Sequence, residues 1–267
     1  MVVRGLDLLY HRAMSVLELQ KTIIYGPIAS RRLGPSLGIN LSSTTANVCS
    51  FDCVYCQYGP TTRHLASAAG AEDMFPSCDE VAEALAAALP GIDPPGYLTF
   101  SGNGEPTLHP EFPAIVEAVR DVRDRLCPEA KVAVLSNSSM VGEERTRAAL
   151  ARVDLPIMKL DVGSAAAFEA INVPAPGVKF EDIVAGLEAM KHFVAQSCFV
   201  ADNPGNADDG AVADYVRIVG IVRPAAVQIY TTDRPVARAG VRMVPRERLA
   251  GIARRVCEEA GIPAEIY

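Results

Sequence analysis

No stretch of the sequence stays apolar for the roughly 18–20 residues that a helix needs to span a bilayer. The opening Met1-Val2-Val3-Arg4-Gly5-Leu6 lacks the apolar segment and small-residue cleavage site of a signal peptide. A cytoplasmic protein without membrane attachment is therefore expected, with Met14 a candidate start because residues 1–13 carry little pattern. Short-period repeats and low-complexity tracts are absent. An excess of positive charge is absent as well: the net charge is −7, unfavourable for broad polyanion binding. There is no aromatic basic patch or added RNA-binding segment. Charged residues make up only 21%, yet 49% of the chain is hydrophobic, so a sizeable core is expected in place of disorder. Of the seven cysteines, Cys78, Cys127, Cys198 and Cys257 are scattered, which argues against a disulfide framework and against a second metal cluster.

Strand-like and helix-like segments alternate. Strands are expected at 36–41, 97–100, 131–135, 156–160, 193–200 and 226–230, with a short one at the end of the chain. Helices are expected at 79–89, opened by a Ser77-x-x-Glu80 capping box, and at 111–126, 143–152, 180–191, 209–221 and 245–259. About six β-then-α units imply parallel strands joined by right-handed crossovers, hence a doubly wound sheet or a barrel. Either places ligands at the C-terminal ends of the strands, where the polar residues of this chain fall.

The remaining three cysteines lie in one short loop, Cys49-Ser50-Phe51-Asp52-Cys53-Val54-Tyr55-Cys56. Thiolates are the usual ligands of iron–sulfur clusters, and three of them can hold three irons of a cubane and leave the fourth open. Zinc with His64 as fourth ligand, or unliganded buried thiols, are the alternatives.

The spacing Cys49-x3-Cys53-x2-Cys56, with Tyr55 before the last cysteine, resembles the signature of the radical S-adenosylmethionine (SAM) superfamily. Residues 25–34, 36–40, 57–59, 101–108, 158–161 and 228–235 resemble its wyosine-synthase-like group, so the resemblance covers roughly 23–235. It implies a partial (β/α)6 barrel of the TIM type, here a single domain at 23–267 behind an N-terminal extension at 1–22. It also implies a 4Fe–4S cluster on Cys49, Cys53 and Cys56, with SAM chelating the open iron. An electron from an external flavodoxin- or ferredoxin-type donor would then break the sulfonium C–S bond. The usual product is a 5′-deoxyadenosyl radical that abstracts hydrogen from a substrate.

On the same resemblance, Tyr55, Gly102, Asn103, Gly104 and Glu105 are expected on the SAM side, with Asn103 a departure from the family's two adjacent glycines. The Gly102–Glu105 edge would meet the SAM ammonium, and bulk at Gly104 would block SAM and spare the cluster. Ser136 and Asn137 would support SAM or cap a helix. Lys159 and Asp161 share strand parity; they are expected either to pair or to contact SAM or substrate. Gln196, Cys198, Gln228, Tyr230 and Arg234 are the expected substrate residues, with Thr232 on the same parity. Arg31 and Arg32 carry no assigned role. The stretch 223–255 holds eight arginines against Asp233 and Glu247, either a solvated face or a basic rim for an anionic substrate. A small-molecule or peptide or protein substrate is expected ahead of tRNA. A tRNA-modifying enzyme, a glycyl-radical activating enzyme and a non-catalytic iron–sulfur or zinc module are the other readings.

Overall fold

Local chemistry starts the elements where the sequence places them. The Ser77 side chain accepts from the Glu80 N–H while Glu80 reaches back to the Ser77 N–H at 2.7 Å, a complete capping box that opens helix α1 (Cys78–Ala88). Asp208 caps a later helix by accepting from the Ala211 N–H at 3.0 Å. The computed structural model describes residues 16–201, 204–232, 236 and 238–267.

In chain order the strands are β1 (Ile24–Ser30), β2 (Gly34–Ile39), β3 (Val48–Cys49), β4 (Arg63–His64), β5 (Tyr97–Phe100), β6 (Lys131–Ser136), β7 (Leu155–Lys159), β8 (Val194–Ala201), β9 (Ala226–Thr231), β10 (Arg242–Met243) and β11 (Ala264–Ile266). The helices after α1 are α2 (Phe112–Leu126), α3 (Glu144–Leu150), α4 (Ala165–Ile171), α5 (Phe180–Glu188), α6 (Asp209–Val222) and α7 (Arg246–Arg255). The main sheet runs β1-β2-β5-β6-β7-β8-β9-β11, parallel from β2 onward, with β1 antiparallel to β2. Six successive parallel strands, β2 through β9 in sheet order, form the partial barrel that the family resemblance implied; the alternation alone had left a doubly wound sheet equally open.

Burial on both faces explains the composition of the central strands. Six consecutive residues of β8, from Ala195 to Val200, are buried, because helices cover one face and the barrel interior the other. Each large apolar side chain so buried contributes about 1.5–3 kcal/mol. Phe199, Tyr215 on α6, Phe100 and Phe112 on α2 are among the largest fully buried. No helix among the described residues is long and apolar enough to cross a membrane.

Besides the two-residue strands β3, β4 and β10, three elements depart from the expectations. Residues 24–30 form β1, an added antiparallel strand, where a strand had been expected only from residue 36. The Ala-rich α4, capped by Ser164, fills a stretch that had no expected element. The last long helix is α7 followed by a π turn at Val256–Ala260, so the expected single helix changes its hydrogen bonding midway.

Candidate functional site

The cysteine loop is clamped on both sides by backbone hydrogen bonds. On one side β3 pairs with the glycine loop that follows β5: the Val48 N–H donates to Asn103 O at 3.1 Å and the Glu105 N–H to Val48 O at 3.0 Å. On the other side the end of α4 takes over. The Asp52 N–H donates to Val173 O at 2.9 Å, Val54 N–H to Ile171 O at 3.0 Å, and Ala175 N–H to Ser50 O at 2.8 Å. Phe51 packs edge-on against Phe168 of α4, ring centroids 5.1 Å apart. Arg238 adds an ion pair to the Asp52 carboxylate.

The closeness of the two loops dictates Gly104. Its φ is +129°, and a Cβ built there would lie 1.7 Å from the Val48 carbonyl oxygen. Bulk at Gly104 would therefore push on the strand that carries Cys49, which corrects the expectation that it would spare the cluster seat. Glu105 is 1% exposed, yet its carboxylate is saturated. Oε1 accepts from Thr107 N–H at 2.9 Å, Thr107 Oγ1 at 2.5 Å and Ser136 Oγ at 2.8 Å, and Oε2 from Asn137 N–H at 2.5 Å. Burial still pushes its pKa up against these bonds. Ser136 and Asn137 thus join the ends of β6 and β5; α3 begins only at Glu144, so neither caps it.

All three loop cysteines face one cavity of about 400 Å³, which Gly102, Gly104, Glu105, Ser136 and Asn137 also line. Each sulfur has its own amide donor. Asn137 Nδ2 lies 3.4 Å from Cys49 Sγ, Asn172 Nδ2 3.5 Å from Cys53 Sγ, and Asn47 Nδ2 3.8 Å from Cys56 Sγ. This donor set fits an iron–sulfur cubane: three thiols at one cavity, each with an amide N–H beside its sulfur. His64 pairs with Cys49 across β4 and β3, but its buried Nε2 has no hydrogen-bond partner.

Without metal the thiols are held neutral. Burial, then the Glu105 charge, keeps Cys49 well above its ordinary value; burial, then Asp161, pushes Cys53 up to about 12; burial also raises Cys56. A metal held by these thiolates would displace their protons. Since the thiolate is the reactive form, alkylation of Cys53 in the apoprotein is expected to keep accelerating with pH well beyond pH 9. A plateau near pH 9 in a mass-spectrometric rate profile would contradict this.

The opposite wall is polar. Lys159 Nζ donates to Tyr230 OH at 3.0 Å and lies 3.6 Å from Asp161 Oδ1 and 5.2 Å from the Tyr55 ring centroid. Burial opposes the ammonium charge, but Asp161 outweighs it with help from neighbouring phenol and thiol groups, so the Lys159 pKa is raised. Asp161 also accepts from Tyr55 OH, from Asn172 Nδ2 at 2.7 Å and from the Cys198 N–H at 2.7 Å. Cys198 is a fully buried part of this wall; burial, then Asp161, holds its thiol well above the ordinary value. Arg32, in the β1–β2 turn, reaches across to this wall. Its guanidinium faces the Gln196 side-chain amide, which accepts from Nη2 at 2.9 Å when its oxygen is turned toward Arg32, and stacks 5.1 Å from the Tyr230 ring centroid.

The cavity therefore gathers Cys49, Cys53, Cys56, Tyr55, Gly102, Gly104, Glu105, Ser136 and Asn137 with Lys159, Gln196, Cys198, Tyr230 and Thr232. Asp161 sits one layer behind it, in a small adjoining pocket. Asn103 is 1% exposed and turned away from the cavity, donating to Gln20 O, before β1, at 2.8 Å and to Ser43 O, in the β2–β3 loop, at 3.0 Å. Residues 16–22 are thus packed against the site, where Leu17 N–H also donates to Gln57 O at 2.7 Å. Gln228 is buried with an unpartnered Oε1 and is not among the residues lining the main cavity. Arg234 lies outside the described residues. Of the arginine-rich stretch, Arg238, Arg248 and Arg255 are ion-paired to Asp52, Asp209 and Glu259. Sequence reasoning passed over Asn47 and Asn172 entirely and left Arg32 without a role. A hint for Asn172 existed in the Ser164-capped, Ala-rich run that delivers it.

A family model described as the Radical SAM superfamily matches residues 43–200. A UPF0026 protein of Methanocaldococcus jannaschii is 35% identical over 173 residues, 64% of this chain and 50% of the relative. The chain thus spans half the length of that relative, and 31% of the length of another curated match. A radical SAM methyltransferase from Sphaerobacter thermophilus is structurally similar with TM-score 0.63 and 16% identity, over 87% of this chain and 65% of its own. TYW1 with a lysine–pyruvate adduct bound is similar with TM-score 0.58 and 14% identity, over 84% of this chain and 73% of its own. At these identities the two structures show a shared fold.

Proposed function

The chain belongs to the radical SAM superfamily, and from that premise we propose that it holds a 4Fe–4S cluster on Cys49, Cys53 and Cys56 and cleaves SAM reductively to start radical chemistry on a small-molecule or peptide or protein substrate. One observation carries the reading. The three thiols and the Gly102–Glu105 loop share a single cavity with a polar wall on β7, β8 and β9. When bound, the cluster and SAM would supply the electron and the adenosyl radical; a flavodoxin- or ferredoxin-type partner is the proposed external donor.

The protein's own groups do the positioning. Glu105, anchored by Thr107, Ser136 and Asn137, stiffens the glycine loop against which the methionine end of SAM would lie. Tyr55 and Asp161 tie that side to the opposite wall. Lys159 stays charged beside Asp161 and offers its donor, with Tyr230 OH, toward the cavity. Arg32 and Gln196 border the region left for the substrate. A cavity of about 400 Å³ falls within the range of small-molecule sites, about 300–1,000 Å³. The ion pairs of Arg238, Arg248 and Arg255 neutralise part of the basic stretch, which favours a small or peptidic substrate over tRNA.

Anaerobic reconstitution tests the class. The protein is expected to turn brown and to convert SAM to 5′-deoxyadenosine under reductant. A colourless protein holding one zinc would sink the reading. Lys159→Met, Gln196→Leu and Tyr230→Phe test the wall. Each is expected to keep uncoupled SAM cleavage while turnover of the identified substrate falls by roughly an order of magnitude or more. Full turnover in all three would remove the wall from the substrate site.

A further inference from the structure

We propose that Asn47, Asn137 and Asn172 set the reduction potential of the cluster, one amide for each cysteine. The inference rests on the cluster reading above and goes beyond it, because it assigns a function to residues that hold no iron.

The three asparagines come from unrelated parts of the chain: the loop before β3, the end of β6 and the residue after α4. They are 3%, 8% and 2% exposed, so water does not compete strongly for their amides. Each points Nδ2 at a different sulfur, at 3.8, 3.4 and 3.5 Å for Cys56, Cys49 and Cys53 respectively. An N–H donor withdraws electron density from a thiolate and stabilises the extra negative charge of the reduced cluster, so each bond raises the potential. Cation charge acts in the same direction but is not concentrated at the sulfurs: Lys159 is compensated by Asp161.

The three differ in what else they hold. Asn137 Nδ2 also donates to Ser50 Oγ at 2.8 Å, and Asn172 Nδ2 to Asp161 Oδ2 at 2.7 Å. Replacing either disturbs a network. The Asn47 amide donates to Cys56 Sγ, while its backbone N–H and C=O bond to Thr62 and Arg63, and a side-chain substitution leaves those backbone bonds in place. Asn47 is therefore the cleanest probe.

The experiment is an anaerobic redox titration of the reconstituted protein, followed by visible absorption and by the electron paramagnetic resonance signal of the reduced cluster. Asn47→Leu, Asn137→Leu and Asn172→Leu are compared with the parent chain, with the near-isosteric Asn→Asp variants as a second set. Every substitution removes a donor, so each midpoint is expected to move negative, further for Asp, which adds charge. The shorter contacts at Cys49 and Cys53 should give larger shifts than the one at Cys56. Asn47→Gln, which keeps an amide, should restore part of the shift. Iron content should stay at the parent level. Unchanged midpoints across both sets with iron retained would overturn the proposal. So would loss of the cluster from both variants at every position, since the amides would then hold the cluster instead of tuning it. Failure of the parent chain to take up a cluster is a different result, and it removes the cluster reading itself.

Discussion

Ala at any one of Cys49, Cys53 or Cys56 is expected to abolish the broad sulfur-to-iron absorption near roughly 400 nm and the bound iron with it. The expectation follows from ligand count. A cubane with an open iron already has the fewest protein ligands it can use, and removing one leaves two. The backbone should survive, because the loop is held by bonds from Val48, Asp52, Val54 and Ala175 that do not involve the thiols. Circular dichroism should therefore match the parent while colour and 5′-deoxyadenosine production vanish. Cys78, Cys127 and Cys257 provide the control. They lie on or beside α1, α2 and α7 and do not line the cavity, so their Ala variants should load normally. Iron retained in the triple Cys49, Cys53 and Cys56 variant would mean that the metal binds elsewhere.

Gly104→Val is expected to be the second most damaging change, and through the fold before the cofactor. A Cβ at this position would overlap the Val48 carbonyl oxygen at 1.7 Å, and the residue must keep φ +129°. Neither problem is relieved by a side-chain rotation, because the obstacle is backbone. The loop has to move away from β3, which breaks the Val48 to Asn103 and Glu105 to Val48 bonds and displaces Cys49. Strain and lost pairing together should cost on the order of 3 kcal/mol or more. At roughly 2–4 °C per kcal/mol for a chain of this size, that is a fall in Tm of about 6–12 °C. Cluster uptake should fall in parallel. A variant with the parent's Tm and full iron content, impaired only in SAM binding, would show that the glycine serves the cofactor's approach and not the meeting of two loops.

The two predictions draw on different kinds of legibility. Helix and strand periods, the capping box at Ser77 and Glu80 and the Cys49-Cys53-Cys56 spacing are local signals: each depends on residues within one or two turns of one another. They were enough to place the parallel β/α order, the helix starts and the three candidate ligands. Shared parity along a strand also brought Lys159, Gln196, Cys198 and Tyr230 to one wall. Parity fails where the strand's environment changes, and Gln228, on the same parity as Tyr230, is buried away from the main cavity.

What only the tertiary structure decided is which distant groups meet. Glu105 reads as a ligand-facing acid in a glycine motif, but its carboxylate is consumed by Thr107, Ser136 and Asn137. Arg32 looks like one of a pair of turn arginines until the partial barrel brings β8 and β9 around to it. Asn172 stands 119 positions from Cys53, and Asn137 stands 88 from Cys49. A lone asparagine carries no periodicity and no spacing, so nothing in the neighbouring residues distinguishes one that caps a turn from one that faces a sulfur. Sequence alone determines most of the elements and the three candidate ligands because those are written in short-range pattern. The contacts around them depend on how the strands are ordered and curved around a common cavity, and that is a property of the packed chain.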